Sequence, residues 1–360
     1  MDLGFWKDRK VLLTGHTGFK GTWLSLWLSS LGAKVTGVAL APDETQIMFG
    51  LTKIAEDIDG HFFDITDAKR LQLLFEEKQP EIVIHMAAQA LVRRSYLDPI
   101  ETFQSNAMGT ATVLDAIRRT PSVRAGVMVT SDKCYENKEW VWGYRESDQI
   151  GGHDPYSASK GVSELITTSM RRSFFKPYVA DGHDGRIATA RAGNVIGGGD
   201  FSTDRLTPDI VQGCFSDKGT ATLRNPNALR PWQHVLEPLR GYLTLAEQLC
   251  SDDGEKFADG WNFGPRDDNT RTVSILAEAM VNALGRGQIK TDIDPNAPHE
   301  ANLLRLDCSK AERALQWVPI IDFKETVSIT AAWYSAWKNG ENIRNFTQRQ
   351  ITEYQARIKK

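Results

Sequence analysis

The feature that most constrains the fold is a strand, a glycine loop, an apolar helix and a second strand, packed between residues 10 and 38. The apolar run Val11-Leu12-Leu13 ends at Thr14-Gly15-His16-Thr17-Gly18-Phe19-Lys20-Gly21. Phe19, Trp23, Leu26, Trp27 and Leu31 then recur at helical spacing, and residues 34–38 read as the next strand. Such a unit closes as a right-handed βαβ crossover, so a parallel sheet is expected. The glycines limit what the loop can hold. A phosphate rests on backbone N–H groups at a helix N-terminus only where no Cβ blocks it. Gly15 suits the tight turn, Gly18 the approach of a pyrophosphate, and Gly21 the packing of helix on strand. With Thr17 and Phe19 between them, they form a candidate dinucleotide cradle. Their spacing is one residue wider than the commonest fingerprint, and the flanking strand and helix give the motif its weight.

The alternation continues along the chain. Strands are expected at 57–63, 81–85, 124–129 and 186–192, and helices at 67–78, 99–119 and 156–174. This is α/β: a doubly wound, parallel Rossmann-type sheet whose ligand lies beyond the carboxyl ends of the strands. Asp64-Ile65, Ala87-Ala88-Gln89 and Thr130-Ser131-Asp132-Lys133 stand at those ends. After Arg191-Ala192-Gly193-Asn194 the elements shorten, and Arg205, Arg224, Arg230, His234 and Arg266 fall among prolines. A smaller, mixed α/β substrate-binding lobe is expected there. The expected division is 1–193, with 234–260 returning to it, for the dinucleotide domain. Residues 194–233 and 261–345 make the smaller lobe, and 346–360 a polar tail without assigned chemistry.

Tyr156-Ser157-Ala158-Ser159-Lys160 places a phenol and an amine one helical turn apart. A lysine cation there stabilises a phenolate and lowers the tyrosine pKa from its reference of ~10. Tyr156 with Lys160 is thus equipped to take a proton from a substrate hydroxyl while hydride leaves the same carbon, with Ser131 holding the oxygen. Cys134, next along an expected strand end, points away from its neighbour and receives no role.

Together these residues resemble the extended short-chain dehydrogenase/reductase family. Thr14 to Gly21, Asp64-Ile65, Ala87-Ala88-Gln89, Asn106, Ser131 and Tyr156 with Lys160 match its pattern over essentially the whole chain. Within it, Asp132-Lys133 after the serine resembles the acid–base pair of the sugar-nucleotide dehydratases. The dTDP-glucose branch has Asp-Glu at that place. Asp132-Lys133, Arg230-Pro231-Trp232-Gln233-His234 and Pro298-His299-Glu300-Ala301 are similar to the CDP-glucose branch.

The resemblance implies oxidation at sugar carbon 4, loss of water across carbons 5 and 6, and hydride return to carbon 6. Asp132 is then the acid. Lys133 is a base if neutral, or a stabiliser of the enolate if charged. Asp64, Ile65, Ala87, Ala88, Gln89 and Asn106 join the glycine loop, Tyr156 and Lys160 around the cofactor. Asn194 and Arg230, then Arg205, Arg224 and His299, are candidates for the nucleotide sugar. NAD is expected, since an internal redox cycle needs only a retained cofactor. Strand 34–38 continues into Ala39-Leu40-Ala41 without the acidic residue that often holds the ribose, and Asp43 comes late. A nucleotide-sugar 4-epimerase and a non-catalytic dinucleotide-binding regulator are the alternatives. The first has no use for Asp132-Lys133, and the second none for Ser131, Tyr156 and Lys160 together. A place in dideoxyhexose and O-antigen synthesis, and a homodimer through helices 99–119 and 156–174, are implied as well.

Charge and cysteines set the remaining bounds. A net charge of −3 over 360 residues argues against nucleic acid as a partner. The four cysteines form no CxxC pair, which points to reduced thiols, a cytoplasmic setting and no metal site. No leader is seen before the first strand, and no apolar run approaches the ~18 residues of a membrane span.

Overall fold

The computed structural model describes residues 1–266, 269–293 and 303–358. The first half alternates β1 (Lys10–Thr14), α1 (Phe19–Ser30), β2 (Lys34–Ala39), α2 (Ile47–Thr52), β3 (Asp59–Phe62), α3 (Ala68–Lys78) and β4 (Ile82–His85). Next come α4 (Val92–Leu97), α5 (Pro99–Phe103), α6 (Gly109–Arg118), β5 (Ala125–Val129), α7 (Pro155–Phe174) and β6 (Arg186–Arg191). The second half carries β7 (Val195–Ile196), α8 (Leu206–Phe215), β8 (Thr220–Leu223), β9 (Leu229–Pro231), β10 (Gln233–His234), α9 (Leu236–Leu249) and β11 (Gly260–Asn262). It closes with β12 (Thr270–Thr272), α10 (Val273–Leu284), β13 (Gln288–Thr291), α11 (Ser309–Ala314), α12 (Phe323–Lys338) and α13 (Ile343–Ile358).

Seven parallel strands form the central sheet in the order β11-β6-β5-β4-β1-β2-β3. The central strands are apolar because both faces are covered: β5 is buried at every position, as is β4. The order reverses at β1 and β4, and the crevice of a doubly wound sheet opens there. Three short two-stranded ladders (β7 with β10, β8 with β13, β9 with β12) build the smaller region beyond β6.

Several helix starts follow side-chain capping. Asp67 accepts from Arg70 N at 3.0 Å at the start of α3, and Asp154 accepts from Ser157 N at 2.9 Å ahead of Pro155 on α7. α1 is among the helices without such a cap: Gly18 is its N-cap, and no side chain caps it. Its first N–H groups remain available to a ligand.

The helix expected at 99–119 is interrupted. Gln104–Met108 forms a π-helical turn between α5 and α6. The Asn106 carbonyl at this turn takes side-chain hydrogen bonds besides the one from Gly109 N. That oxygen accepts from Thr110 Oγ1 at 2.6 Å and from Ser163 Oγ of α7 at 2.9 Å. The stretch 346–360, read as a tail, falls largely within α13, which packs on α1. The Trp27 and Tyr354 rings meet edge to face at 5.7 Å, and Tyr354 hydroxyl donates to Glu237 Oε2 at 2.7 Å. Among the described residues no helix is long and apolar enough to cross a membrane.

Candidate active site

A crevice of about 750 Å³ runs along the carboxyl ends of the central strands and under the smaller region. Its cradle end is the β1–α1 turn. Gly15 has φ +76°, and a Cβ on it would lie 2.8 Å from Ala87 N. A Cβ on Gly21 would fall 2.0 Å from the Gly15 carbonyl oxygen, so helix and turn meet only because Gly21 has no side chain. Gly18 differs: a Cβ there would meet nothing closer than 3.5 Å. The protein itself leaves that side open, as an approaching phosphate requires. Thr17, Phe19, Asp64, Ile65, Ala87, Ala88 and Gln89 all line the same end.

Asn106 does not line the crevice. Its side chain is buried and fully used: Oδ1 accepts from Gln89 N at 2.9 Å, while Nδ2 donates to Gln89 O and Ser159 Oγ. It braces the loop after β4, which lines the crevice, against α7. Asp43 lines the crevice, in the turn after β2. Thr45 holds it there, donating from N at 2.8 Å and from Oγ1 at 2.6 Å, and these bonds keep the carboxyl below its ordinary range. An acidic group thus stands on the crevice wall just after β2.

At the reaction end, Ser131 caps a turn of 3-10 helix, Asp132–Cys134. Its Oγ donates to Asp132 Oδ1 at 3.0 Å and accepts from Lys133 N at 3.2 Å. Asp132 is 3% exposed, with Asn194 Nδ2 donating to its Oδ2 at 3.4 Å. A Cβ on Gly193 would overlap that carboxylate at 1.9 Å, so the glycine makes its seat. The turn corrects the reason given for Cys134. Residues 132–134 are not a strand end, and the thiol is buried against Tyr135, Tyr144 and Leu304, which pushes its pKa well up.

Tyr156 and Lys160 project from α7 into the crevice, and Ser131 hydrogen-bonds the Tyr156 hydroxyl. Burial pushes the Tyr156 phenol up, against the lowering effects of the Ser131 hydrogen bond and the Arg205 charge. This reverses the direction expected from Lys160: withdrawal from water outweighs the neighbouring charges. Burial also pushes Lys160 down to about 8, opposed by Glu164. Its Nζ donates to Val129 O at 3.5 Å.

Behind these groups lies a buried ion pair. Arg191 Nε and Nη2 donate to Glu164 Oε1 and Oε2 at 3.0 and 2.8 Å. Thr130 Oγ1 and Thr189 Oγ1 donate to the same carboxylate at 2.5 and 2.7 Å. The pair ties β5, β6 and α7 together one turn past Lys160. Removing one partner of such a pair costs about 3–5 kcal/mol, because the other charge is left buried alone.

On the far wall, Arg205 donates to Asp200 Oδ2 at 3.3 Å, and Arg224 donates to Asp204 at 2.6 Å and Asp209 at 3.2 Å. Arg230 and Trp232 line the crevice beside Asn194. Arg93 of α4 reaches Asp204 at 3.6 Å across the opening. His299, with Pro298, Glu300 and Ala301, lies outside the described residues. Lys20, Asp43 and Arg93 line the crevice without having been singled out as site residues from the sequence. Lys20 lies inside the glycine motif and was open to notice there. Arg93 follows Ala87-Ala88-Gln89 by a few residues and carries no such signal.

Similarity to known proteins agrees with this geometry. The family model described as GDP-mannose 4,6 dehydratase matches residues 12–330. A CDP-glucose 4,6-dehydratase of Salmonella typhimurium is 46% identical over 354 residues, covering 98% of each chain. Among solved structures, a dTDP-glucose 4,6-dehydratase of Streptomyces venezuelae with NAD bound superposes with a TM-score of 0.77 at 21% identity. It covers 92% of this chain and 98% of that one. A UDP-glucose-4-epimerase of Stenotrophomonas maltophila with bound NAD gives 0.78 at 22% identity, covering 92% and 99%. These two share the fold. On the family model and the near-full-length relative, the chain belongs to the GDP-mannose 4,6 dehydratase family.

Proposed function

We propose that this protein dehydrates CDP-D-glucose to CDP-4-keto-6-deoxy-D-glucose, with NAD retained in the crevice. The observation that carries the reading is the buried Asp132 carboxylate, bonded to Ser131 and sharing a crevice with Tyr156 and Lys160. A 4-epimerase needs the serine, tyrosine and lysine but no acid beside them. The relative at 46% identity supports cytidine over the other nucleotides.

The open side of Gly18, the uncapped start of α1 and Asp43 beyond β2 fit a dinucleotide. Asp64 and Ile65 would flank its adenine, and Lys160 its nicotinamide ribose. When bound, NAD supplies an acceptor for the carbon 4 hydride and a donor to carbon 6, and its oxidised ring adds a positive charge to the crevice. Tyr156 takes the proton of the 4-hydroxyl, steadied by Ser131 and Lys160. The ketone so formed acidifies the proton on carbon 5. Lys133 in its neutral form receives that proton and, once charged, steadies the enolate. The electron pair of the broken C–H bond forms the double bond to carbon 6, and hydroxide leaves with the proton of Asp132 as water. After hydride return, a proton comes back to carbon 5. Arg230, Arg205 and Arg224 face the nucleotide diphosphate, with Asn194 at the sugar.

On this reading residues 1–193 and 234–260 carry the cofactor, and 194–233 and 261–345 the nucleotide sugar. The product supplies further deoxygenation toward dideoxyhexoses of O-antigen. Four unpaired cysteines fit a cytoplasmic enzyme. The outer side of α4–α7 exposes Leu97 (87%), Ile100 (66%), Met108 (56%) and Leu165 (59%), an apolar surface suited to a homodimer. Leu165→Asp is expected to convert a dimer to a monomer in sedimentation velocity, and an unchanged dimer places the interface elsewhere.

Turnover on the four nucleoside-diphosphate glucoses tests the function. The kcat/KM for CDP-glucose is expected to exceed the others by at least ~10-fold. Product that absorbs in strong base should form without net use of NAD. Equal turnover on all four removes the cytidine assignment, and CDP-galactose as the sole product establishes the epimerase.

A further inference from the structure

The residues that carry the chemistry stand on two elements. Tyr156 and Lys160 belong to α7, whereas Ser131, Asp132 and Lys133 belong to a single turn of 3-10 helix and its cap. Such a turn is poorly bonded within itself. Here Cys134 N reaches Ser131 O at 3.2 Å and Tyr135 N reaches Asp132 O only at 3.5 Å. What fixes the turn lies at its two ends. Before it, Thr130 Oγ1 donates to Glu164 Oε1 at 2.5 Å. After it, the Tyr135 hydroxyl accepts from Arg191 Nη1 at 2.6 Å, and the guanidinium lies 5.0 Å from the centroid of the Tyr135 ring. Glu164 and Arg191 are the two halves of one buried ion pair, and Glu164 sits one helical turn past Lys160. Both ends of the turn are therefore tied to the pair, and the pair to the helix of Tyr156 and Lys160.

The Tyr135 hydroxyl has no freedom left. Asn262 Nδ2 donates to Tyr144 O at 2.8 Å and to Asp307 O at 3.1 Å, which leaves its Oδ1 toward Tyr135. Since Arg191 can only donate, the phenol proton goes to that Oδ1, at 2.8 Å. Tyr135, Arg191, Glu164 and Asn262 are all buried, and burial pushes the Tyr135 phenol up, so it stays protonated and moves no proton. Stability alone does not explain the cluster, because apolar residues of similar volume hold a core as well as a buried ion pair does. What they lack is direction. A planar guanidinium fixes its partners in angle as well as in distance.

We propose that Tyr135 is a positioning residue for the loss of water. Through Arg191 it holds the Asp132–Lys133 end of the turn in register with Tyr156 and Lys160, while Thr130, through Glu164, holds the Ser131 end. The proposal rests on the dehydratase reading, in which the two ends serve different steps. Oxidation at carbon 4 uses Ser131 with Tyr156 and Lys160, and elimination uses Asp132 and Lys133. Loosening one end slows one step, and a misplacement of about 1 Å costs up to ~10²-fold in rate.

Rapid mixing of two variants with CDP-glucose, unlabelled or carrying deuterium at carbon 4, tests this. Tyr135→Phe and Thr130→Val each keep the shape and delete one hydroxyl. In Tyr135→Phe, reduced nicotinamide is expected to form within about twofold of the wild-type rate and then to decay about 10–100-fold more slowly, so that it accumulates. In Thr130→Val its formation slows, none accumulates, and deuterium at carbon 4 slows turnover more than in wild type. A hydroxyl with a merely structural role lowers the melting temperature and leaves both steps unchanged or slowed in equal proportion. That result in Tyr135→Phe overturns the proposal. Each variant tests one end of the clamp, so one that fails to fold leaves the other decisive. Hydrogen exchange follows the clamp without the reaction: residues 130–136 exchange faster in Tyr135→Phe while α7 does not, and unchanged exchange in the turn also overturns the proposal. Wild-type enzyme that makes no 4-keto-6-deoxy product from CDP-glucose counts against the dehydratase reading, and the exchange measurement then decides the clamp by itself.

Discussion

Tyr156→Phe is expected to stop the reaction before any carbon is oxidised. The ring fills the same space, so folding and NAD binding should persist, but Ser131 loses its partner and the 4-hydroxyl loses its proton acceptor. A positioned acid or base typically contributes about 10²–10⁴-fold, and a loss in that range is expected in kcat. Rapid mixing with CDP-glucose should show no absorbance of reduced nicotinamide. Reduced cofactor appearing at the wild-type rate would place the base elsewhere. Burial holds this phenol above its ordinary pKa, so its base form depends on the positive charges around it. The residual rate of the variant should therefore be insensitive to pH through the range where wild type rises.

Asp132→Asn should fail at the next step. Asparagine keeps the shape seated on Gly193 and a bond to Ser131, but it has no proton to give hydroxide. Oxidation at carbon 4 proceeds and water is not lost, so reduced nicotinamide builds up on the enzyme instead of passing unseen. A fall in kcat of about 10²–10⁴-fold is expected. Lys133→Met should stall at the same point. If Asp132→Asn still yields 4-keto-6-deoxy sugar at the original rate, the acid is another group. The two variants therefore differ in a visible signal: Tyr156→Phe stays colourless, and Asp132→Asn accumulates reduced cofactor.

The sheet was legible because its strands are buried on both faces and read as apolar runs. β1, β4 and β5 lie within a residue or so of the expected 10–14, 81–85 and 124–129. The crevice followed, since strand ends in a doubly wound sheet point to one edge. What escaped has specific causes. The π turn at Gln104–Met108 adds one residue to a helix and leaves no mark on hydrophobic spacing. Whether an amide such as Asn106 faces ligand or protein depends on what crosses over it, here Gln89 and Ser159. The Tyr156 shift follows burial, which the one-turn spacing of Tyr and Lys does not reveal. Asp43 acquires meaning from the crevice wall, which groups distant in sequence build. α13 looked polar because its inward face includes Thr347 and Gln350 with Ile343, Ile351 and Tyr354, which weakens the apolar stripe.

That last helix bears on how the chain is made. α1 is buried along nearly its whole length, and part of its cover is α13, joined through Trp27 and Tyr354. During synthesis α1 emerges first and its cover last, with over three hundred residues between them. A contact of such sequence separation cannot form on the ribosome until the final turns are released. The nascent enzyme therefore carries Trp27 beside an unfinished wall for almost all of translation. Its yield in a cell should depend on chaperone capacity more steeply than its finished stability would suggest.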